Sequence, residues 1–330
     1  MANVLDSAPI LLALDIGGTN SRGEVLLSEG GKLSPPLHSA AVPTPVQDGD
    51  AAMRAITSLS EGLLALLTPG QRDRVVGVGL GVPGVLDGTT GTVKFASNLG
   101  WRNRDVAGQL RQALGLPVFL FHDVTAAGTA EQRLGAGRGA ADVLSVFIGT
   151  GIAATVTSGG HMLSGGPLPL GGHQPVGEMG HLPVALDGPE CSCGQHGCLE
   201  LYCSARAIGR RYSEALGIDP WGPDAKSSRD LVLALDNDPV AREVWATATR
   251  YLAHGLLAAT TVVGPARIVL GGGLAAAGDV LVDPVRGWLQ QMARVVHVPE
   301  IVTAELGQRA GVMGVALLTA DRLELQSKAA

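Results

Sequence analysis

Aromatic residues are scarce in this chain: eleven of its 330 residues are Phe, Trp or Tyr, and the net charge is −6. Neither stacking platforms nor a basic field is available for nucleic acid, and none is expected as a partner. Charged residues make up 16%, and this mix of low charge and high apolar content argues against extended disorder. Long apolar runs are missing too. The first run, Ile10 to Leu14, stops at Asp15 with no Lys or Arg before it, and no other stretch approaches twenty uninterrupted apolar residues. The reading is of a soluble, cytoplasmic protein with no signal peptide and no membrane span. Cysteine is confined to one place: Cys191, Cys193, Cys198 and Cys203 sit in a short segment of an otherwise Cys-free chain. In a cytosolic protein such clustering points to metal before disulfides.

What the chain has in quantity is glycine, 47 residues, within a composition that is 46% hydrophobic. That suits a buried α/β architecture with tight turns, and the length suits about two domains. A strand over Ile10–Asp15 runs into Ile16-Gly17-Gly18-Thr19-Asn20, and apolar residues resume at Val25, so the glycines read as a hairpin turn. A helix is predicted over about 50–67, with Met53, Ile56, Leu59, Leu63, Leu64 and Leu67 on one face, then a strand over 75–80. A strand over 117–121 delivers His122-Asp123 to a helix of small residues over 124–134, a composition that predicts close packing against another element. A second strand–glycine–strand unit spans Val143 to Thr157 around Gly149-Thr150-Gly151. Two such units predict two related α/β halves facing each other across a cleft. Residues 159–180 read as an irregular Gly- and Pro-rich loop. Helices follow over about 199–216 and 238–263, a strand over 267–270 ending in Gly271-Gly272-Gly273, a helix, a short strand over 301–304 and a last helix over about 311–323.

Four groups of residues carry chemistry. Gly17-Gly18-Thr19 between two strands frees backbone N–H groups and removes the Cβ atoms that would block a phosphate, with Asn20 closing the turn. Asp15 beside it would hold Mg²⁺, chiefly through water. An ordinary glycine hairpin is the plain alternative, and the segment is not a P-loop, having no Gly-Lys-Ser/Thr ending. Gly149-Thr150-Gly151 offers a second grip on a polyphosphate, and Gly271-Gly272-Gly273 either lets a nucleotide lie on bare backbone or simply caps a strand-to-helix turn. Asp123, where strand meets helix, is either an N-cap or a base that takes a substrate hydroxyl proton. Cys191-Ser192-Cys193-Gly194-Gln195-His196-Gly197-Cys198, with His181 ten residues upstream, supplies three thiolates and one imidazole, a closed tetrahedral set that implies structural zinc. His196 is a rival fourth ligand inside a tight loop, and Cys203 reads as a small buried residue. Glu178, His181 and Glu200 bracket this segment. Zinc would lock a loop presenting two carboxylates, acceptors of the kind that recognise a neutral polyol; the alternative is a pair of solvated surface charges.

Taken in order, these motifs resemble the ROK family of sugar kinases and sugar-responsive repressors. The resemblance covers essentially the whole chain: Leu14 to Thr19, Gly81-Val82-Pro83-Gly84, Asn98-Leu99-Gly100-Trp101, Asp123 with its Ala-rich helix, Phe147 to Gly151, Gly177-Glu178-Met179-Gly180-His181 and Cys191 to Glu200. It implies an actin-like, ribonuclease H-like fold of two α/β domains: a smaller one over 1–122 plus 312–330, and a larger one over 123–311 carrying the zinc loop. It implies transfer of the γ-phosphoryl group of ATP to a hexose hydroxyl, commonly the 6-hydroxyl, with glucose or N-acetylglucosamine as acceptor and another hexose or a cyclitol as alternatives. By position Asp123 matches the catalytic base; Asn98, Glu178, His181 and Glu200 match the sugar ligands; His181, Cys191, Cys193 and Cys198 match the zinc set. A homodimer is the family expectation. Family repressors carry an N-terminal helix-turn-helix, whereas nine residues without Lys or Arg precede the first strand here, so a kinase is expected rather than a regulator. Two departures bear on the choice of sugar. His122 stands where the family usually has a sugar-contacting Asn, and Ser97 where many members have Pro.

Overall fold

The computed structural model describes residues 8–166 and 176–329, so nine residues of the Gly- and Pro-rich segment, 167–175, lie outside the described residues. The described chain divides into two compact units, residues 8–130 with 308–329, and residues 131–166 with 176–307.

The first unit is built on strand β1 (Ile10–Ile16), which pairs antiparallel with β2 (Asn20–Glu29) and parallel with a later strand. Short strands β3 (Lys32–Leu33) and β4 (His38–Pro43) both pair with β2. β5 (Val75–Val82) lies on the other side of β1; a separate three-stranded sheet follows, β6 (Val85–Asp87), β7 (Thr92–Ala96) and β8 (Trp101–Asp105); β9 (Val118–His122) closes the main sheet in the order β3-β2-β1-β5-β9. Because β1 is central, both of its faces are buried, which explains a continuous apolar run in place of alternation. Ile10, Leu12, Leu14 and Ile16 enter a core with helices Gly49–Ala65 and Val106–Leu114. Leu11 and Ala13 meet Val312, Val315 and Ala316 of helix Ala310–Ala329 on the opposite face. Each fully buried Leu or Ile contributes roughly 1.5–3 kcal/mol.

Close approach of that last helix depends on glycine. A side chain at Gly79 of β5 would overlap Thr319 and Val315, and one at Gly314 would overlap the backbone of Ala126 in helix Asp123–Leu134. The small-residue helix therefore does pack tightly, as its composition predicts. Asp48 caps Gly49–Ala65 by accepting from the Ala51 N–H at 2.9 Å, and Asp105 caps Val106–Leu114 through the Gly108 N–H at 2.7 Å.

The second unit repeats the plan. β10 (Val143–Ile148) pairs antiparallel with β11 (Ile152–Ser158), β12 (His161–Met162) extends β11, and β13 (Arg267–Gly271) and β14 (Glu300–Thr303) add parallel strands in the order β12-β11-β10-β13-β14. Leu144, Val146, Ile148, Ile268 and Leu270 pack on helices Pro239–Val263 and Asp279–Met292. In both units an antiparallel hairpin is followed by two parallel strands, so the predicted duplication is present at the level of topology. Glu131, fully buried, accepts the N–H groups of Ala136, Glu305 and Leu306 at 2.9–3.1 Å and so ties the chain after β14 to the end of helix Asp123–Leu134.

One predicted helix is two. Glu200–Cys203 ends at Ser204, whose extended backbone breaks the run and whose hydroxyl accepts the Ala207 N–H to start Ala205–Ala215.

Candidate functional site

In the first unit, the residues picked out in the sequence gather at the end of β1. Asp15 is its penultimate residue, Gly17, Gly18 and Thr19 form the turn, and Asn20 begins β2. The Gly17 N–H donates to the Asn20 carbonyl at 3.0 Å, and the Thr44 N–H holds the Thr19 carbonyl at 2.9 Å. Gly18 and Thr19 are exposed. Asn98 lies in the turn Ser97–Leu99, its carbonyl accepting the Gln47 N–H at 2.9 Å, and a Cβ on Gly18 would sit 3.7 Å from the Asn98 Nδ2. Trp101, 1% exposed, anchors this turn by donating its indole N–H to the Gly49 carbonyl at 2.8 Å.

Parallel pairing of β1, β5 and β9 carries Asp15 and His122-Asp123 to the same end of the sheet. Asp123 is the first residue of helix Asp123–Leu134. Its Oδ1 accepts the Val124 N–H at 2.8 Å and lies 3.3 Å from the His122 Nδ1. A conventional N-cap bonds the N–H two or three residues ahead; bonding the next residue instead, Asp123 does little for the helix end. Its side chain is 28% exposed. Removal from water, with the Asp123 charge adding to it, pushes Asp15 up to about 7, while Arg22 pulls the other way. Arg22 faces Asp15 across the hairpin register, a partner that the sequence reading missed and that counting back from the glycine turn would have found. The Asp15 carboxylate packs against Gly311, where any side chain would overlap it.

In the second unit, Gly149-Thr150-Gly151 joins β10 to β11, with the Gly149 N–H on the Gly151 carbonyl and the Ala205 N–H on the Gly149 carbonyl, both at 2.9 Å. Gly271 ends β13 and Gly273 opens the short turn Gly273–Ala277. Gly272 has φ +81°, and a Cβ there would meet the Ile148 carbonyl oxygen at 2.5 Å, so it is glycine because β10 runs against it. Gly273 faces open space.

Glu178 is exposed at the start of the turn Met179–His181, and Gly177, with φ +88°, lets this loop lie on the Ala154 backbone. His181, Cys191, Cys193 and Cys198 come together: one ligand atom from each lies within 4.8 Å of all the others. The Cys193 and Cys198 sulfurs are 3.7 Å apart, and the Cys191 sulfur is 3.8 Å from the His181 Nδ1. A tetrahedron of thiolates at about 2.3 Å from a zinc ion has S···S edges of about 3.8 Å, so the donor set fits such an ion in type and size. A disulfide, with S–S near 2.05 Å, does not fit that spacing, and all four cysteines are free. Burial and the neighbouring thiols push Cys198 up to about 12, whereas a bond from the Gln195 N–H holds Cys193 below the ordinary thiol range. His196 is exposed with its Nδ1 3.3 Å from the Gly188 carbonyl, outside the cluster, and Cys203 is buried on the Leu199 carbonyl. Glu200 has one oxygen 3.5 Å from the Cys191 sulfur and 3.9 Å from the His181 Nδ1, and its other oxygen 2.9 Å from where a Cβ on Gly151 would be. It thus links the Cys/His cluster to the Gly149–Gly151 turn, a contact not visible in the sequence.

Among the described residues no helix is long and apolar enough to cross a membrane. Comparison with known proteins gives the following. The glucokinase of Streptomyces coelicolor is 31% identical over 328 residues, covering 94% of this chain and 98% of that one. The crystal structure of a ROK hexokinase from Thermus thermophilus superposes with a TM-score of 0.75 at 31% identity, covering 96% of this chain and 99% of that one. A ROK glucokinase from Streptomyces griseus, in complex with glucose and AMPPNP, gives 0.76 at 29% identity over 94% and 98%. These neighbours have the actin-like fold that the repeated sheet topology displays. The family model described as ROK family matches residues 11–322, and the chain belongs to the ROK family.

Proposed function

We propose that this protein transfers the γ-phosphoryl group of ATP to a hydroxyl of a hexose, the 6-hydroxyl of glucose or N-acetylglucosamine, with Asp123 as the general base. The similarity to glucokinases supports the reaction class. The observation that carries the reading is the setting of Asp123: a partly exposed carboxylate whose contacts with the Val124 N–H and the His122 Nδ1, among the described residues, fall on Oδ1. Oδ2 is then the oxygen that meets the substrate hydroxyl and takes its proton as the new O–P bond forms. The Val124 N–H and the His122 ring fix the carboxylate's orientation.

The phosphate chain is held by backbone. With the Gly17 and Gly149 amides already bonded inside their own turns, those of Gly18, Thr19 and Thr150 are the ones to donate to phosphate oxygens, helped by the two Thr hydroxyls. Magnesium, when bound, neutralises charge on the phosphates. Asp15 suits it, because a carboxyl driven toward its neutral form by burial and a neighbouring carboxylate regains its charge beside a cation. Asn98, His122, Glu178, His181 and Glu200 are assigned to the sugar hydroxyls. His181, Cys191, Cys193 and Cys198 would hold zinc. With the His181 Nδ1 turned to the cluster, Nε2 is the nitrogen left for substrate.

The test is an ADP-release assay with ATP and a panel of glucose, N-acetylglucosamine, mannose, other hexoses and a cyclitol. Turnover of a hexose supports the reading; no ADP release with any member of the panel overturns it.

A further inference from the structure

Among the described residues, two that are not glycine take a positive φ, Gln47 at +58° and Asn103 at +47°. Asn is one of the few side chains that visit this left-handed backbone readily; Gln is not. The Gln47 side chain does not explain the conformation, since it is exposed and makes no hydrogen bond among the described residues. The backbone on either side does. Thr44 is pinned by its N–H to the Thr19 carbonyl and by its buried hydroxyl to that of Ser21, both at 2.9 Å. Asp48 caps helix Gly49–Ala65, and the Gly49 carbonyl takes the Trp101 indole N–H at 2.8 Å. Between these fixed ends the Gln47 N–H donates to the Asn98 carbonyl at 2.9 Å. The two stretches lie against each other so closely that both carry glycine at the contact. A Cβ at Gly49 would meet the Trp101 ring at 2.6 Å, and one at Gly100, whose φ is +66°, would press on the Gln47 carbonyl at 3.0 Å. A segment of four residues, 44–47, is thus bonded at one end to the Gly17–Thr19 turn and at the other to the turn of Asn98. Backbone held in such a sparsely populated region persists only where its surroundings over-determine it, and residues of this kind collect at binding sites.

We infer that Gln47 is a positioning residue for the sugar: its left-handed backbone, and not its side chain, fixes the Asn98 turn relative to the Gly17–Thr19 turn. The sugar hydroxyl and the phosphate chain then meet groups of the first unit that are set at a constant spacing. This role rests on the proposed assignment of Asn98 to the sugar and of Thr19 to phosphate. It predicts that sugar affinity follows how well residue 47 accepts a positive φ, whatever its side-chain chemistry.

A series at this position tests it, with calorimetric titration of glucose and N-acetylglucosamine beside the ADP-release assay. For Gln47→Val the left-handed region is closed by the branched Cβ, so the N–H bond to Asn98 is lost. Its sugar Kd and KM should rise at least about fivefold, with kcat and the KM for ATP within about twofold of wild type. Gln47→Asn and Gln47→Gly, which accept the same φ, should keep the sugar KM within about twofold. A merely structural role would lower the melting temperature and the active fraction, hence kcat, and leave the sugar KM alone. Equal sugar affinity in wild type and Gln47→Val overturns the inference. So does a loss in Gln47→Gly as large as in Gln47→Val, which would make the amide side chain the sugar contact. Failure of wild type to bind either sugar also overturns it. Should Gln47→Val not fold, Gly100→Ala presses on the same contact from the other side with Gln47 intact, and carries the same expectation and the same refutation. Sugar binding by wild type without ADP release would remove the kinase reading, and the binding series would still decide the role of Gln47. Turnover with one sugar KM across the whole series would do the reverse.

Discussion

Replacing Asp123 by Asn keeps the side chain's shape and its bond from the Val124 N–H, and removes the capacity to take a proton. Since a positioned base contributes about 10²–10⁴-fold, Asp123→Asn should lower kcat by at least 10²-fold with sugar affinity and melting temperature close to wild type. A variant retaining more than about a tenth of wild-type kcat would show that another group takes the proton. On the proposed reading the neighbouring His122 bears on which sugar is taken. An Asn side chain offers donor and acceptor on one short arm, whereas the imidazole is bulkier and spends its Nδ1 on the Asp123 carboxylate at 3.3 Å, leaving Nε2 for a hydroxyl. His122→Asn should therefore change the ranking of kcat/KM among glucose, N-acetylglucosamine and mannose by several-fold, with the KM for ATP nearly constant. An equal factor on all three sugars would make His122 a space-filler. The placement of both residues was legible in the sequence, because a strand ending in His-Asp before a helix puts them at the strand's end whatever the rest of the fold does. Arg22 was overlooked, and the Glu200 contacts were not legible. The first needs the hairpin register, and the second needs Gly151 and Cys191, nearly fifty and nine residues away in the chain, to meet one carboxylate.

At the scale of elements, the two glycine-turn hairpins and the long helices were legible because buried runs flanked by glycine, or spaced at the helical period, survive any tertiary setting. The three-stranded sheet of β6, β7 and β8 was not. Its strands are short and largely half-exposed, so their composition carries little alternation. The division at Ser204 had a visible signal, a Ser followed by a good helix former, but the apolar spacing runs across it and hides the break. Glycine shows the same contrast between local signal and packing. Gly314 and Gly62 are both inside helices, where Ala is ordinarily better by up to about 1 kcal/mol. A Cβ at Gly62 meets open space, so Gly62→Ala should stabilise by up to that amount. At Gly314 it would overlap the Ala126 carbonyl, and backbone cannot step aside as a flexible side chain can. Gly314→Ala should cost about 1–3 kcal/mol, despite the gain in helix propensity. Chemical denaturation of the two variants beside wild type measures the difference, and a stabilised Gly314→Ala would mean the two helices separate more readily than their contact implies.

For the whole molecule, the proposed reading makes what the protein binds depend on the Cys/His cluster of one unit. Glu178 stands at the head of the Met179–His181 turn, and Glu200 has one oxygen against Cys191, so both carboxylates are placed by the segment that the Cys/His cluster closes. Four ligand atoms, two of them on buried cysteines, lie within 4.8 Å of one another, a spacing that suits one cation between them. Protein purified without added metal should therefore contain about one zinc per chain, and Cys198→Ser, or treatment with a strong chelator, should remove it. Sugar binding should go with it. At a hundred times its Kd a hexose stabilises the native state by about 2.7 kcal/mol, enough to raise the melting temperature by several degrees. Wild type and Asp123→Asn should both show that rise, because neither the metal nor Glu178 and Glu200 are altered. Cys198→Ser should melt lower in the absence of sugar and show little or no rise in its presence. The measurement pairs metal analysis with melting curves in glucose and in N-acetylglucosamine. A metal-free preparation that keeps the full sugar-induced rise would show that Glu178 and Glu200 are positioned by the fold alone, with the cluster incidental to the site.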